Sequence, residues 1–153
     1  MHHVFLGLGS NLGNREKAIS ETLQGIGLLL GPIEQTSQII ETPAWGKTDL
    51  PDYLNLVIEI RTHMWPLELI EAILKLEEKL GRVRTKKWAS RVIDIDILYF
   101  NDWHFNTPKL QIPHPFIAQR AFVLKPLVEI SPNFIHPIFG DSNFELLKRL
   151  NAN

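Results

Sequence analysis

The stretch GRVRTKKWASRVIDIDI, residues 81–97, joins a basic loop to an acidic strand. Arg82, Arg84, Lys86, Lys87, Trp88 and Arg91 make up the loop; Asp94 and Asp96 then alternate with Ile93, Ile95 and Ile97. Side chains on a strand alternate faces, so the two aspartates share one face and the isoleucines share the other. The aspartate Cα atoms should lie roughly 6.5–7 Å apart. Carboxylates that close repel unless a cation or a proton sits between them. Cations immediately upstream of such a pair suit a polyphosphate carrying Mg²⁺, the carboxylates holding metal and the basic side chains meeting phosphate oxygens. The plainer reading is the wet face of a half-buried sheet next to a solvated loop. The direct junction of the two features, with a tryptophan between, favours the site.

Working outward, Pro66 suits a helix start, and a helix runs from there to Leu80 before Gly81. Its outer face carries Glu68, Glu71, Lys75, Glu78 and Lys79, and its inner stripe reads Leu69, Ile70, Ile73, Leu74 and Leu80. Glu77 interrupts that stripe near the helix C-terminus, where the dipole disfavours an anion. It either sits on the surface or faces a site. Upstream, Tyr53–Arg61 alternates as a strand, with Leu54, Leu56, Ile58 and Ile60 towards the core and Tyr53, Asn55 and Val57 on the other face. Val4–Leu8 and Ile33–Glu41 read as two further strands. Between them, Ser10, Asn11 or Asn14 can cap a helix over Arg15–Leu30, stopped by Gly31-Pro32. Thr42–Pro51 reads as a loop.

Downstream, Asn101-Asp102 signals a turn and Trp103–Phe105 a small hairpin or added strand. PKLQIPHPF, residues 108–116, is extended and proline-punctuated. Pro126 and Pro132 keep the next region irregular, leaving a short helical turn over Leu127–Ile130. Ser142 or Asn143 can cap a last helix over Phe144–Leu150. Strand, helix, strand, strand, helix, strand is the ferredoxin-like order. The expectation is an α+β fold in which an antiparallel sheet carries helices on one face, with short strands and a helix added at the C-terminal end. The whole of residues 1–153 reads as one domain.

Composition narrows the function. A net charge of −1 argues against wholesale nucleic-acid binding, so the basic loop is a local feature. The absence of cysteine removes disulfides and thiolate metal sites. No apolar run reaches membrane-spanning length and no secretory signal is visible, so a cytoplasmic protein without a membrane partner is expected.

Several separated motifs, in order, resemble the 6-hydroxymethyl-7,8-dihydropterin pyrophosphokinase family: GLGSNLGN at 7–14, ETPAWG at 41–46, PDYLN at 51–55, GRVR at 81–84, Trp88 and Arg91 with DIDI at 94–97, and IPHP with Arg120 and Phe122. The resemblance implies transfer of pyrophosphate from ATP to the hydroxymethyl oxygen of the pterin, in folate biosynthesis, by a monomer using two Mg²⁺ ions. It implies a pterin pocket of Thr42, Pro43, Trp45, Tyr53, Asn55, Trp88 and Phe122, where aromatic faces stack the ring and Asn55 meets its amide edge. Asp94 and Asp96 are the implied metal ligands, and Arg82, Arg84 and Arg91 fall in the family's catalytic loop. The nucleotide is implied to meet Glu77, Arg84, Trp88, Arg91, Lys109, Gln111, His114, Pro115 and Arg120.

The chain departs from the family pattern at Lys87, Ala89-Ser90, Leu74 and Lys109. Lysine does not replace the forked contact of arginine, so these changes bear on the loop and on the nucleotide contacts. Two other classes fit some of the features. A nucleic-acid-binding module could use the basic loop and tryptophans, and a metal-dependent nuclease could use the aspartates. Neutral charge and the acidic pair count against the first.

Overall fold

The computed structural model describes residues 1–43, 52–81 and 92–152. Within them the chain forms β1 (His2–Ser10), α1 (Arg15–Leu29), β2 (Ile33–Thr36), β3 (Ile40–Thr42), β4 (Tyr53–Thr62), α2 (Pro66–Leu80) and β5 (Asp94–Phe100). β6 (Phe105–Asn106), β7 (Gln111–Ile112), α3 (Ala121–Ile130) and α4 (Asn143–Ala152) follow. The main sheet runs β2-β4-β1-β5, antiparallel throughout, with β3 also paired to β4. That is the ferredoxin-like plan.

The alternation in β4 sorts as expected. Leu54, Leu56, Ile58 and Ile60 join Leu6, Leu8, Ile93, Ile95 and Ile97 in a core under α1 and α2, while Val57 turns to the opposite face. Asn14 caps α1 by accepting the Lys17 N–H at 3.0 Å. The strand expected over Ile33–Glu41 divides at Ser37. There the Ser37 N–H donates to the Val57 carbonyl, and the Ser37 hydroxyl accepts the Val57 N–H. A side chain thus replaces one backbone partner, and the ladder is interrupted between β2 and β3.

The stripe of α2 differs from the expected one. Leu69, Ile73 and Leu76 are buried and Leu74 is exposed. Spacing of four and then three centres the buried face on Ile73. Leu74 lies a residue beyond it, and Glu77, four residues from Ile73, sits at its edge.

The other face of the sheet holds a second core. Phe5, Val57, Leu98 and Tyr99 pack there against Ile117, Val123, Leu124, Leu127 and Leu146. A register shift between β1 and β5 pairs Phe5 with Tyr99 but Leu6 with Ile97, so Leu98 is the extra residue of a bulge, and Leu98 and Tyr99 both join this core. Where only a short helical turn was expected, α3 runs for ten residues with Pro126 inside it. An interior proline costs about 3 kcal/mol. Burying Val123, Leu124 and Leu127 returns roughly 1.5–3 kcal/mol each, so tertiary packing outweighs the breaker. Ser142 starts α4 with a reciprocal cap: its hydroxyl accepts the Glu145 N–H, and the Glu145 carboxylate accepts the Ser142 N–H. The hairpin expected near Phe105 is β6 paired with β7. α3 and α4 pack over the Phe5–Val57–Tyr99 part of this face. The part carrying Gly7, Gly9, Asn55, Asp94 and Asp96 stays open.

Candidate active site

Cross-strand register builds the floor of this open end. Gly9 is paired with Asn55 of β4 on one side and Asp94 of β5 on the other; two residues along, Gly7 is paired with Val57 and Asp96. All these positions lie on the face away from α1 and α2. Since both central residues are glycines, no side chain rises between Asn55 and Asp94. Adjacent strands stand about 4.8 Å apart, so the flanking Cα positions are roughly 9.6 Å apart with no side chain rooted between them. A Cβ on Gly9 would meet the Asn55 Oδ1 at 3.2 Å.

A pocket of about 940 Å³ stands on this floor. Thr42, Pro43, Tyr53 and Asn55 form one side, Asp94 and Asp96 the other, and Phe116, Gln119, Arg120 and Phe122 close it from the α3 end. Asn55 is nearly buried, and its Nδ2 donates to the Thr42 hydroxyl at 2.7 Å. That bond fixes the carboxamide, so one amide hydrogen and the carbonyl oxygen are free of it for a ring edge. Burial, and then the charge of Asp94, push the Tyr53 hydroxyl above its usual range, which keeps it a neutral phenol.

Arg120 stacks over two rings, 5.1 Å from the centre of Phe116 and 5.6 Å from that of Phe122. Phe122 also packs against the second core, so it serves as wall and as structure together. The His114 Nδ1 accepts the Phe116 N–H at 3.1 Å, so the neutral ring must carry its proton on Nε2. Burial holds this imidazole below the ordinary histidine range; Asp96 works against that shift and Arg120 with it. His114 is therefore within electrostatic reach of both pocket residues and is an uncharged hydrogen-bond donor near neutral pH.

Of the residues expected in the site, Thr42, Pro43, Tyr53, Asn55, Asp94, Asp96, Arg120 and Phe122 come together around one cavity. Gln111, His114 and Pro115 belong to the segment along the outer side of β5, where the His114 N–H donates to the Leu98 carbonyl. Lys109 is exposed in the turn between β6 and β7. Glu77 does not line the cavity; its Oε2 accepts the Ile95 N–H at 2.7 Å. Trp45, Arg82, Arg84, Trp88 and Arg91 lie outside the described residues. Sequence reasoning missed Gly7, Gly9, Phe116 and Gln119. The glycines could have been found in GLGSN, where they alternate with Leu6 and Leu8 on a strand and so leave one face without side chains. Phe116 and Gln119 carried no separate signal.

Asp94 and Asp96 offer hard oxygen donors on one face. Among the described residues no group of three or more acidic, histidine or cysteine side chains converges on a cation position. This donor set fits Mg²⁺, which takes one or two carboxylates and fills its remaining positions with substrate phosphates and water.

Comparison with known proteins bears on this arrangement. Residues 5–132 match the model of the 7,8-dihydro-6-hydroxymethylpterin-pyrophosphokinase family. A 2-amino-4-hydroxy-6-hydroxymethyldihydropteridine pyrophosphokinase of Aquifex aeolicus is 42% identical over 139 residues, covering 91% of this chain and 86% of that one. The protein of the same name from Methylorubrum extorquens is 38% identical over 151 residues, covering 98% and 94%. A crystal structure of Plasmodium falciparum HPPK-DHPS superposes with a TM-score of 0.82 at 18% identity, covering 99% of this chain and 44% of that chain. The present chain thus spans less than half of that solved protein, and the likeness to it is one of fold.

Proposed function

The chain belongs to the 7,8-dihydro-6-hydroxymethylpterin-pyrophosphokinase family, and we propose that it transfers pyrophosphate from ATP to the hydroxymethyl oxygen of 6-hydroxymethyl-7,8-dihydropterin in the pocket above β1. One observation carries this reading: a carboxamide suited to a pterin edge and a carboxylate pair suited to a metal nucleotide line one pocket, on strands that flank the glycines of β1.

The pterin ring lies in the Asn55 half, its edge on the Asn55 carboxamide and its faces against Phe122 and Trp45. The triphosphate lies towards Asp94 and Asp96, met by Arg120 and the His114 Nε2–H from this side, and by Arg84 and Arg91, with Arg82 beside them, from the catalytic loop. The pterin oxygen then forms a bond to the β-phosphorus as the bond from that phosphorus to the α,β-bridging oxygen breaks. AMP departs with the bridging oxygen, and the hydroxyl proton passes to water. Bound Mg²⁺, proposed as two ions, supplies charge neutralisation of the triphosphate and polarisation of the attacking oxygen. What the chain itself supplies is positioning and charge, which is most of what phosphoryl transfer requires. Lys109, Gln111 and Pro115 are placed along the nucleotide's far end.

Within this reading the chain acts as a monomer. A cytoplasmic setting and the absence of a nucleic-acid partner complete the proposal. No described helix is long and apolar enough to cross a membrane.

Mass spectrometry of the products tests it. Incubation with ATP, Mg²⁺ and the pterin alcohol should give AMP and the pterin diphosphate in equal amounts. ADP with a pterin monophosphate, or no pterin product, would overturn the assignment.

A further inference from the structure

Among the described residues, the strand carrying Asp94 and Asp96 lies at the edge of the sheet, its ladder formed with β1 on its inner side. Backbone groups on an outer edge need partners from elsewhere, and Ile95, the residue between the two aspartates, is buried at 3% exposure. Its N–H is taken by the Glu77 carboxylate at 2.7 Å. Two other contacts hold the same stretch: the Ser10 hydroxyl donates to the Val92 carbonyl at 2.5 Å, and the His114 N–H donates to the Leu98 carbonyl at 2.9 Å. Of these three, only the Glu77 contact falls between the aspartates. Glu77 stands beside the buried face of α2, four residues from fully buried Ile73, and near a helix end where an anion is disfavoured. A leucine there would extend the apolar stripe and leave the Ile95 N–H without its acceptor.

We infer that Glu77 is a positioning residue for the acidic pair. By holding the peptide between Asp94 and Asp96 from the outer edge, it sets the spacing and tilt of the two carboxylates, and with them the affinity for a metal-bound nucleotide. The inference rests on the reading of Asp94 and Asp96 as cation ligands. It moves Glu77 from direct nucleotide contact to support of the ligands themselves.

The test compares Glu77→Gln, which keeps an acceptor oxygen, with Glu77→Leu, which removes it. Glu77→Ala serves in the same role should the leucine variant fail to fold. Amide hydrogen exchange of Ile95, read by NMR in the free protein, should quicken at least about tenfold in Glu77→Leu while other β5 amides keep their protection. In Glu77→Gln it should stay close to wild type. Calorimetry with a non-hydrolysable ATP analogue should show affinity lowered about tenfold in Glu77→Leu when Mg²⁺ is present, the effect expected when support of a ligand is lost. Without Mg²⁺ the analogue should bind both proteins alike. Unchanged Ile95 exchange in Glu77→Leu would overturn the inference. So would an equal loss for the metal-free analogue, which would put Glu77 on the nucleotide itself, or a Glu77→Gln that loses metal-nucleotide affinity as Glu77→Leu does. A wild-type protein that ignores Mg²⁺-nucleotide altogether would refute the proposed function instead, and the exchange comparison would still decide whether Glu77 holds the strand.

Discussion

Asn55 and Asp94 flank Gly9 on neighbouring strands, with no side chain rooted between them. A flat ring and a charged phosphate chain can therefore lie side by side on the sheet without a side chain lifting either away. Gly9→Ala places a methyl 3.2 Å from the Asn55 Oδ1, tighter than a relaxed contact, and roots a side chain between Asn55 and Asp94. Pterin affinity should fall about tenfold, the effect of roughly 1.4 kcal/mol of misplacement. Nucleotide affinity without pterin should hold within about twofold. Calorimetry with each ligand in turn checks this; an unaltered pterin affinity would remove Gly9 from the floor of the site.

Thr42 makes a related but smaller contribution. Its hydroxyl accepts a hydrogen bond from the Asn55 carboxamide, and in the proposed binding mode Asn55 is the group that meets the ring. Asn55→Ala should weaken pterin binding by about 1–3 kcal/mol, since ring polar groups lose their partners on burial. Thr42→Val should cost less, about 0.5–1.5 kcal/mol, the worth of one intramolecular hydrogen bond. Pterin titration of the two variants ranks them; a larger loss in Thr42→Val would mean that the threonine, not the asparagine, is the recognition group.

The sequence made the sheet legible because β4 and β5 alternate so cleanly. Leu54, Leu56, Ile58 and Ile60, and the isoleucines around the aspartates, could face only one core. The polar floor of the cavity followed from the same alternation, since Asn55, Asp94 and Asp96 had to share the opposite face. What stayed hidden depended on partners distant in sequence. Leu76 rather than Leu74 is buried because α1 approaches at Gly25, where a Cβ would stand 2.8 Å from a Leu76 methyl. The length of α3 depends on a second core formed with Phe5, Val57 and Tyr99, which no local pattern around Pro126 reveals. Glu77 broke its stripe visibly, but only the fold shows that its partner is the Ile95 N–H.

Gly31 should be the least replaceable glycine in the described structure. Its φ of +152° lies in a region that side chains avoid, and a Cβ there would stand 1.9 Å from the Arg61 carbonyl oxygen, a backbone atom that cannot swing aside. Gly31→Ala should destabilise the fold by about 2–4 kcal/mol, the scale of a forced backbone shift at a strained position. Urea denaturation measures it, and a loss under 0.5 kcal/mol would mean that the turn relaxes at little cost.

His136 should make stability depend on pH. Burial is the main cause holding its imidazole below the usual range, with His104 adding to the shift and Asp141 opposing it. The ring's Nδ1 accepts two backbone N–H groups, from Ile138 and Phe139, and protonation there would break both bonds. Between the lowered folded pKa and the unfolded value near 6.5, the unfolded chain binds more protons, so stability rises with pH in that window and is lost as pH falls through it. His114, lowered in the same direction, adds to the slope. Thermal midpoints should drop between pH 7 and pH 5. The drop should be shallower in His136→Gln, even though that variant starts less stable at pH 7. An equal slope in the two proteins would show that His136 does not titrate across the transition.

The acidic pair carries the central claim, and the most direct measurement follows turnover against Mg²⁺ concentration alongside the melting temperature for Asp94→Ala and Asp96→Ala. Both side chains face an open pocket rather than a core. Each substitution should therefore cut turnover at least about a hundredfold, as loss of a metal ligand does in phosphoryl transfer. The melting temperature should stay unchanged or rise as carboxylate repulsion is relieved. Near-normal turnover with Mg²⁺ in either variant, or loss of activity that merely follows a collapse of the fold, would contradict the account.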